Sequence, residues 1–190
     1  MQVLIFQGSP RKKGNTEVLL NAVGAGIRAG GGDYETIRLY DLRIQPCIGC
    51  GGCDKTGKCV LEDDMSGLYE KIIAAKRVII ASPIYFYNVT AQAKAFIDRT
   101  QALWSWKYLL KGKGEWHLDL ERKGYFVSVA ATKGQKVFEG AVLTAKYAFD
   151  AMDMQYGGEF LVKQVDRIGE MAGHKDELQR AEAFGRSILT

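Results

Sequence analysis

The sequence predicts an α/β protein built on a doubly wound, five-stranded parallel sheet with helices on both faces. Four continuous apolar runs, at 2–6, 77–81, 125–129 and 158–162, suit strands that are buried on both faces of a sheet. Stretches with helical periodicity separate these runs. A fifth segment, 35–40, alternates polar and apolar residues and is therefore predicted to form an edge strand.

Helices are predicted between these strands because apolar residues recur there every three or four positions. The first helix spans about 16–29, where Gly24 and Gly26 weaken the intrinsic propensity by roughly 1 kcal/mol each, so packing must hold it. The second begins at about Asp63 or Asp64, which we expect to be its N-cap and first-turn acid. The remaining predicted helices are periodic over 93–104, 138–152 and 176–189.

The segment 104–120 is the nearest thing to an insertion in the predicted fold. It sets Trp104, Trp106, Tyr108 and Trp116 among glycines, which suggests a loop. Exposed aromatic side chains in a loop indicate a partner surface or a ligand lid, whereas the same residues on a buried stripe would be ordinary core. Both interpretations stay open at this point.

Length and composition predict one domain over residues 1–190, since 47% of the residues are hydrophobic. The net charge is only +4, with Lys and Arg scattered along the chain, so we expect no nucleic-acid partner. No apolar run approaches the roughly 18 residues of a membrane span, and no secretory signal is visible. We therefore expect no membrane association and a cytoplasmic location, where thiols stay reduced.

An anion-binding loop is predicted directly after the first strand. Residues 8–16 read G-S-P-R-K-K-G-N-T and open a helix, whose first N–H groups and positive dipole end attract phosphate. Ser9, Asn15 and Thr16 can donate hydrogen bonds, and Arg11 can close over the anion. The loop matches neither the dinucleotide fingerprint nor the Walker A motif. The alternative is that Asn15 merely caps the helix.

A second informative block follows the third strand, where 82–90 read S-P-I-Y-F-Y-N-V-T and a helix with K-A-F-I-D-R comes next. Together with the loop after strand one, this block closely resembles the flavodoxin-like NAD(P)H-dependent FMN reductases. The resemblance runs from the first strand through Arg99. It implies a flavodoxin-like sheet of order 2-1-3-4-5 and bound FMN. Taken alone, the aromatic residues of this block could also be plain core.

The resemblance implies roles for three loops. The phosphate of FMN would be held by Ser9, Arg11, Gly14, Asn15 and Thr16. The isoalloxazine ring would lie along Pro83, Ile84, Tyr85, Phe86, Tyr87 and Asn88, whose N–H groups would stabilise negative charge on the reduced ring. The loop after strand four would border the flavin through Thr132, Lys133 and Gly134.

All four cysteines fall within thirteen positions, at Cys47, Cys50, Cys53 and Cys59, in a C-x2-C-x2-C-x5-C pattern. Such a group is a ligand cluster, a redox centre or both. Zinc sites usually pair two C-x2-C units across a longer loop, whereas three cysteines at two-residue gaps are more typical of cubane clusters. The pattern resembles the iron–sulfur flavoprotein branch of the family, which implies a [4Fe–4S] cluster. Zinc and free, disulfide-exchanging thiols remain alternatives.

The resulting functional hypothesis is an FMN-dependent oxidoreductase that takes electrons from NAD(P)H, or from a ferredoxin-type electron carrier, and passes them to a quinone, a flavin or another acceptor. Hydride transfer between stacked rings needs no side-chain acid or base, so no catalytic residue is predicted. His117 and His174 are expected at the surface. The alternatives are an electron-shuttle flavodoxin, an iron-free thiol-disulfide protein and a receiver-type switch. A homo-oligomer, dimer or tetramer, is expected because neighbouring subunits often cover the flavin in this family.

Overall fold

A computed structural model of the chain describes residues 2–190. Its five strands form one parallel sheet in the order β2-β1-β3-β4-β5, which confirms the predicted fold class and strand order. The strands are β1 (Gln2–Gln7), β2 (Asp33–Arg38), β3 (Arg77–Pro83), β4 (Lys123–Ala130) and β5 (Gln155–Lys163). The order places β1 and β3 side by side at the topological switch point, where such sheets bind ligands.

The helices cover both faces of the sheet. They are α1 (Asn15–Ala29), α2 (Cys53–Thr56), α3 (Ser66–Ala74), α4 (Ala91–Arg99), α5 (Gln101–Lys113), α6 (Glu139–Ala151) and α7 (Lys175–Ser187), with short 3-10 turns at Leu39–Asp41 and Glu170–Gly173. Alternate residues of each strand point to opposite faces, so Val3 and Ile5 pack under α1 and α7, while Leu4 and Phe6 pack under α3, α4 and α6.

Two glycines explain how α1 packs against α7. A Cβ atom added to Gly26 would lie 1.9 Å from the Glu182 carbonyl oxygen, and one added to Gly185 would lie 2.0 Å from the Val23 carbonyl oxygen. The two helix backbones therefore touch at these positions. This close approach offsets the low helix propensity of Gly26, in agreement with the expectation that packing must hold this helix.

Three helix boundaries differ from the prediction. The periodicity over 93–104 belongs to two helices that meet at Thr100. The segment 104–120 is for the most part helix α5 and not a loop. Its inner face carries buried Ser105 and Lys107 in place of apolar residues, which hid the helical period. Helix α3 begins at Ser66, because the carboxylates of Asp63 and Asp64 do not cap it and accept other hydrogen bonds.

Within residues 2–190, none of the helices is both long and apolar enough to cross a membrane.

Candidate functional site

The loops that follow β1, β3 and β4 meet at the carboxyl edge of the sheet, where they line a cleft with an enclosed volume of about 90 Å³. This volume is far below the roughly 300–1,000 Å³ of a complete ligand pocket. The cleft therefore fits an anionic group at its floor and leaves a larger ligand extending along the rim. Its lining comprises Ser9, Arg11, Asn15, Thr16, Pro83, Ile84, Tyr85, Val129, Ala131, Val165 and Asp166.

The floor of the cleft is the N-terminus of α1. Ser9 and Thr16 are buried there, and the Ser9 hydroxyl accepts the Arg11 N–H at 3.3 Å. The N-cap of α1 is Gly14, which has no side chain, so the first N–H groups of the helix lack a capping acceptor. Asn15 therefore does not cap α1, contrary to the alternative interpretation of this motif.

Asn15 instead holds the loop after β5. Its Nδ2 donates to the Arg167 carbonyl at 2.8 Å, and its Oδ1 accepts the Met171 N–H at 3.1 Å. Arg11 reaches the same loop through a bond from Nη1 to the Asp166 carbonyl at 3.4 Å. Val165 and Asp166 are cleft residues that the sequence analysis missed, because β5 follows the family blocks and its loop carries no recognisable motif.

The loop after β3 is a two-residue hairpin turn. Tyr85 and Asn88 exchange hydrogen bonds of 2.8 and 3.0 Å, and the residues between them have positive φ angles of 48° at Phe86 and 62° at Tyr87. This is the type I′ geometry that normally selects Asn-Gly. Phe86 is fully exposed, and neither of the two turn N–H groups has an acceptor within residues 2–190. The turn thus offers two free donors and two aromatic rings at the cleft rim.

The residues of the loop after β4 lie at different distances from the cleft. Ala131 lines the cleft, whereas Thr132 and Lys133 are exposed outside its lining. Gly134 lies beside the tip of the β3 loop, since an added Cβ would be 3.5 Å from the Tyr87 hydroxyl oxygen. The structure therefore brings Gly134, but not its two predecessors, to the aromatic turn.

Buried hydroxyl groups fix the strand ends beneath the cleft. Thr90, the N-cap of α4, donates to the Gly8 carbonyl at 2.6 Å, while its N–H donates to Ser82 Oγ at 3.0 Å. Ser128 donates to the Ser82 carbonyl at 2.7 Å. These bonds tie β1, β3 and β4 together with the start of α4, so the cleft is built on a rigid support.

A second cavity, of about 230 Å³, is lined by all four cysteines. None is in a disulfide; Cys47 and Cys50 are exposed, and Cys53 and Cys59 are half-buried. The Cβ position of Gly57 lies 2.8 Å from Trp106 Cβ, so the cysteine loop lies directly on α5. Within residues 2–190, no three His, Cys, Asp or Glu side chains converge closely enough to hold one metal ion.

One buried ion pair holds both ends of the cysteine loop. Arg99 is 1% exposed, and its two terminal nitrogens contact the Asp63 carboxylate at 2.6 and 3.1 Å. The same nitrogens donate to the carbonyls of Gln45 and Leu61, at 2.9 and 3.2 Å. These two residues flank the cysteines in the chain. Asp63 is thus a partner of Arg99, and not the N-cap that the sequence analysis expected.

The charge state of Asp63 makes this clamp dependent on pH. Burial alone would raise the pKa of its carboxyl, but hydrogen bonds from Arg99 and from the N–H groups of Gln45 and Met65 outweigh burial and lower the pKa below 3.8. A lowered pKa means that the clamp contributes fully to stability above the unfolded value of about 3.9 and loses its contribution as the pH falls through the folded value.

We therefore expect residues 45–61 to become accessible to an acid-active protease as the pH falls through the lowered pKa of Asp63. Asp63→Asn should show that accessibility already at pH 7. A loop that is equally protected at pH 7 in Asp63→Asn and in the unsubstituted protein would contradict the assignment of the clamp.

The two cavities lie at opposite ends of α4. Thr90 at its start contacts the loop after β1, whereas Arg99 at its end lines the cysteine cavity, and the two linings share no residue.

Neither histidine lines the cleft or the cysteine cavity. His117 is exposed, as expected, while His174 is half-buried at the start of α7.

The donor sets fit the groups that the sequence analysis proposed for them. The cleft combines a helix N-terminus, an arginine and free N–H groups beside aromatic rings, which suits a phosphate joined to a flat ring system. The second cavity offers four thiols, a donor set that suits iron–sulfur centres and zinc alike.

A sequence model of the family described as NADPH-dependent FMN reductase matches residues 1–164. An iron-sulfur flavoprotein of Methanocaldococcus jannaschii is 40% identical over 103 residues, which are 54% of this chain and 53% of that protein. The chain thus spans about half the length of this relative. These matches confirm the resemblance to the reductase family and to its iron–sulfur branch.

Solved structures agree on the fold. The NAD(P)H:quinone oxidoreductase from Methanothermobacter marburgensis has a TM-score of 0.71 at 18% identity, covering 100% of this chain and 96% of that chain. A flavodoxin from the domain Archaea has a TM-score of 0.57 at 17% identity, covering 99% and 96%. At such identities the likeness supports the flavodoxin-like fold alone.

Proposed function

Because the chain belongs to the NADPH-dependent FMN reductase family, we propose that it is an FMN-dependent oxidoreductase. It takes electrons from NAD(P)H, or from a ferredoxin-type electron carrier, and passes them to a quinone, a flavin or another acceptor. The observation that carries this proposal is the convergence of the loops after β1, β3 and β4 on one anion-binding cleft with an aromatic rim. Bound FMN would supply the chemistry, by accepting a hydride and releasing electrons.

The protein's own residues bind and orient the FMN. Ser9, Thr16 and the first N–H groups of α1 would receive the phosphate, and Arg11 would cover it. The N–H groups of Phe86 and Tyr87 would face the ring and stabilise negative charge on it. No side chain is required to move a proton during hydride transfer between stacked rings, so the proposal includes no catalytic acid or base.

An anaerobic absorption titration tests this proposal. Purified protein loaded with FMN should show the yellow flavin spectrum and lose it on addition of NADH or NADPH. Bleaching by reduced ferredoxin but not by NAD(P)H would assign the carrier protein as the donor. Protein that neither retains FMN nor is bleached by any of these donors would contradict the proposal.

If Arg11 binds the phosphate of FMN, its removal should weaken FMN binding but not riboflavin binding. Arg11→Ala should weaken FMN about tenfold or more, since hydrogen bonds to charged groups contribute about 1.5–3 kcal/mol. Riboflavin has no phosphate, so its affinity should stay within about twofold of the original. Lys113→Ala is the matched control, because Lys113 is an exposed cation at the end of α5 that lines neither the cleft nor the cysteine cavity. Fluorescence titration with both flavins measures the difference, and equal losses for both would contradict the phosphate site.

We propose further that Cys47, Cys50, Cys53 and Cys59 hold a [4Fe–4S] cluster. Their shared cavity and their free thiols support a metal–thiolate centre, and their C-x2-C-x2-C-x5-C spacing favours a cubane cluster over zinc. Anaerobically reconstituted protein should then be brown and contain about four iron and four sulfide per chain. Colourless protein after reconstitution would contradict it.

The exposure of Cys47 and Cys50 favours one alternative, an iron-free thiol-disulfide protein. Loss of turnover on alkylation of iron-free protein would support that alternative over the cluster.

We also propose a homo-oligomer, formed through the outer face of α5 and α6. Trp104 and Tyr108 stack at 4.3 Å there, beside Leu143 and Tyr147, which are 57% and 70% exposed. Side chains of this size and exposure indicate a protein interface. Elution of the protein as a monomer of about 21 kDa, the mass of one chain, would contradict this proposal.

A further inference from the structure

Two polar side chains contact the cysteine loop from outside the motif. Ser105, on the buried face of α5, places its hydroxyl 3.6 Å from Cys53 Sγ and 3.3 Å from Asp54 Oδ1. Its single proton can be donated to the sulfur or to the carboxylate. Buried serine is uncommon on a helix that packs inward, and no other acceptor of this hydroxyl is found in residues 2–190.

Arg99 is the second such residue. Four of the five N–H donors of a guanidinium lie on its terminal nitrogens, and those nitrogens serve Asp63, Gln45 and Leu61. The fifth donor, on Nε, is buried and has no acceptor within residues 2–190. Arg99 lines the cysteine cavity, so its positive charge lies close to any group that is bound there.

The charge of Arg99 is permanent. Burial would lower its pKa, but the hydrogen bond to Asp63 and the nearby Tyr69 and Cys59 raise the pKa above its usual value. The side chain therefore stays a cation and a donor at every working pH.

From these contacts, and resting on the proposed cluster, we propose that Ser105 and Arg99 are positioning residues that raise the reduction potential of the cluster. Ser105 donates a hydrogen bond to a cluster sulfur atom, and Arg99 supplies a positive charge close to it. Reduction adds a negative charge to an already anionic cluster. Donors and cations close to its sulfurs stabilise that added charge, which makes reduction easier. Arg99 has the additional task of fixing the ends of the loop.

The test is a potentiometric titration of reconstituted protein under anaerobic conditions. Ser105→Ala should keep the full iron and sulfide content but shift the reduction equilibrium about tenfold toward the oxidised form, which is about 59 mV more negative for one electron. Thr144→Val is the matched control, since Thr144 is a half-buried helical hydroxyl that donates to the Gly140 carbonyl on α6. Its potential should equal that of the unsubstituted protein.

Arg99→Gln removes the positive charge and the fork. It should shift the potential in the same direction, and in cluster-free protein it should speed hydrogen exchange of the Gln45 and Met65 N–H groups, which donate to Asp63. Arg122→Gln controls for loss of a buried arginine at a site remote from the cysteines.

The outcomes distinguish failure of the proposed cluster from failure of the proposed positioning role of Ser105 and Arg99. If the unsubstituted protein binds a cluster and both variants keep its potential, the positioning role is overturned and the cluster stands. If the unsubstituted protein retains neither iron nor sulfide, the cluster is overturned and the positioning role falls with it. A negative shift in Ser105→Ala with full iron content and an unchanged Thr144→Val supports the positioning role.

Discussion

Replacing Gly26 by alanine is expected to lower the free energy of unfolding by about 3 kcal/mol, the upper range for overpacking a core. The added Cβ would lie 1.9 Å from the Glu182 carbonyl oxygen, which is a backbone atom and cannot rotate away. Helix α7 would have to move outward, and the contact between Val23 and Gly185 would open with it. The gain in helix propensity, about 1 kcal/mol, does not offset this loss.

Gly67→Ala is the matched control, because Gly67 is an exposed helical glycine of α3 with nothing within 4 Å of the added Cβ. This substitution should stabilise the protein by up to about 1 kcal/mol. Urea unfolding followed by circular dichroism measures both variants. A Gly26→Ala protein as stable as the original would show that α1 and α7 do not touch as described.

Exchanging the hairpin tip Phe86-Tyr87 for Asn-Gly is expected to stabilise the fold and weaken flavin binding together. Both residues have positive φ angles, which cost a bulky L-residue roughly 1–2 kcal/mol each, whereas Asn-Gly suits this turn. We expect a gain of about 2 kcal/mol in unfolding free energy. Loss of both rings from the rim should lower FMN affinity at least tenfold, by analogy with the energy of other aromatic contacts.

The variant Gln164→Gly separates the effect of backbone strain on stability from the effect of the aromatic rings on FMN affinity. Gln164 is an exposed non-glycine residue with a φ of 60° that lies outside the cleft lining. Relief of its strain should raise stability without a change in FMN affinity. If the Asn-Gly variant bound FMN as tightly as the original, the aromatic tip would have no part in flavin binding, and its strain would need another explanation.

The parts of the site that could be predicted from sequence are those fixed by topology. Loops after parallel strands emerge at one edge of the sheet, so Ser9 and Tyr85 had to approach each other once β1 and β3 were recognised as neighbours. The strand order followed from the family resemblance, and the register of buried apolar runs placed the core on both faces.

The errors came from residues whose partners lie far along the chain. Asn15 is not the N-cap that its local context allows, because its side chain donates to the Arg167 carbonyl, 152 residues away. Asp63 looked like a helix cap because of its local context, while Arg99, its partner, is 36 residues away. Helix α5 was hidden because Ser105 and Lys107 are buried for their contacts with Cys53 and Asp150, and polar residues break an apolar period.

The Arg99 guanidinium binds both ends of the cysteine loop, so the ends of this loop are fixed separately from the residues within it. The bonds to the Gln45 and Leu61 carbonyls hold these two residues at neighbouring positions independently of any ligand on the cysteines. We expect a short turn in place of the residues from Cys47 to Cys59 to leave the sheet intact and to uncover the face of α5 on which the loop packs. The ends of the loop are thus fixed by the fold, and the ligands within it can change without a change in the sheet.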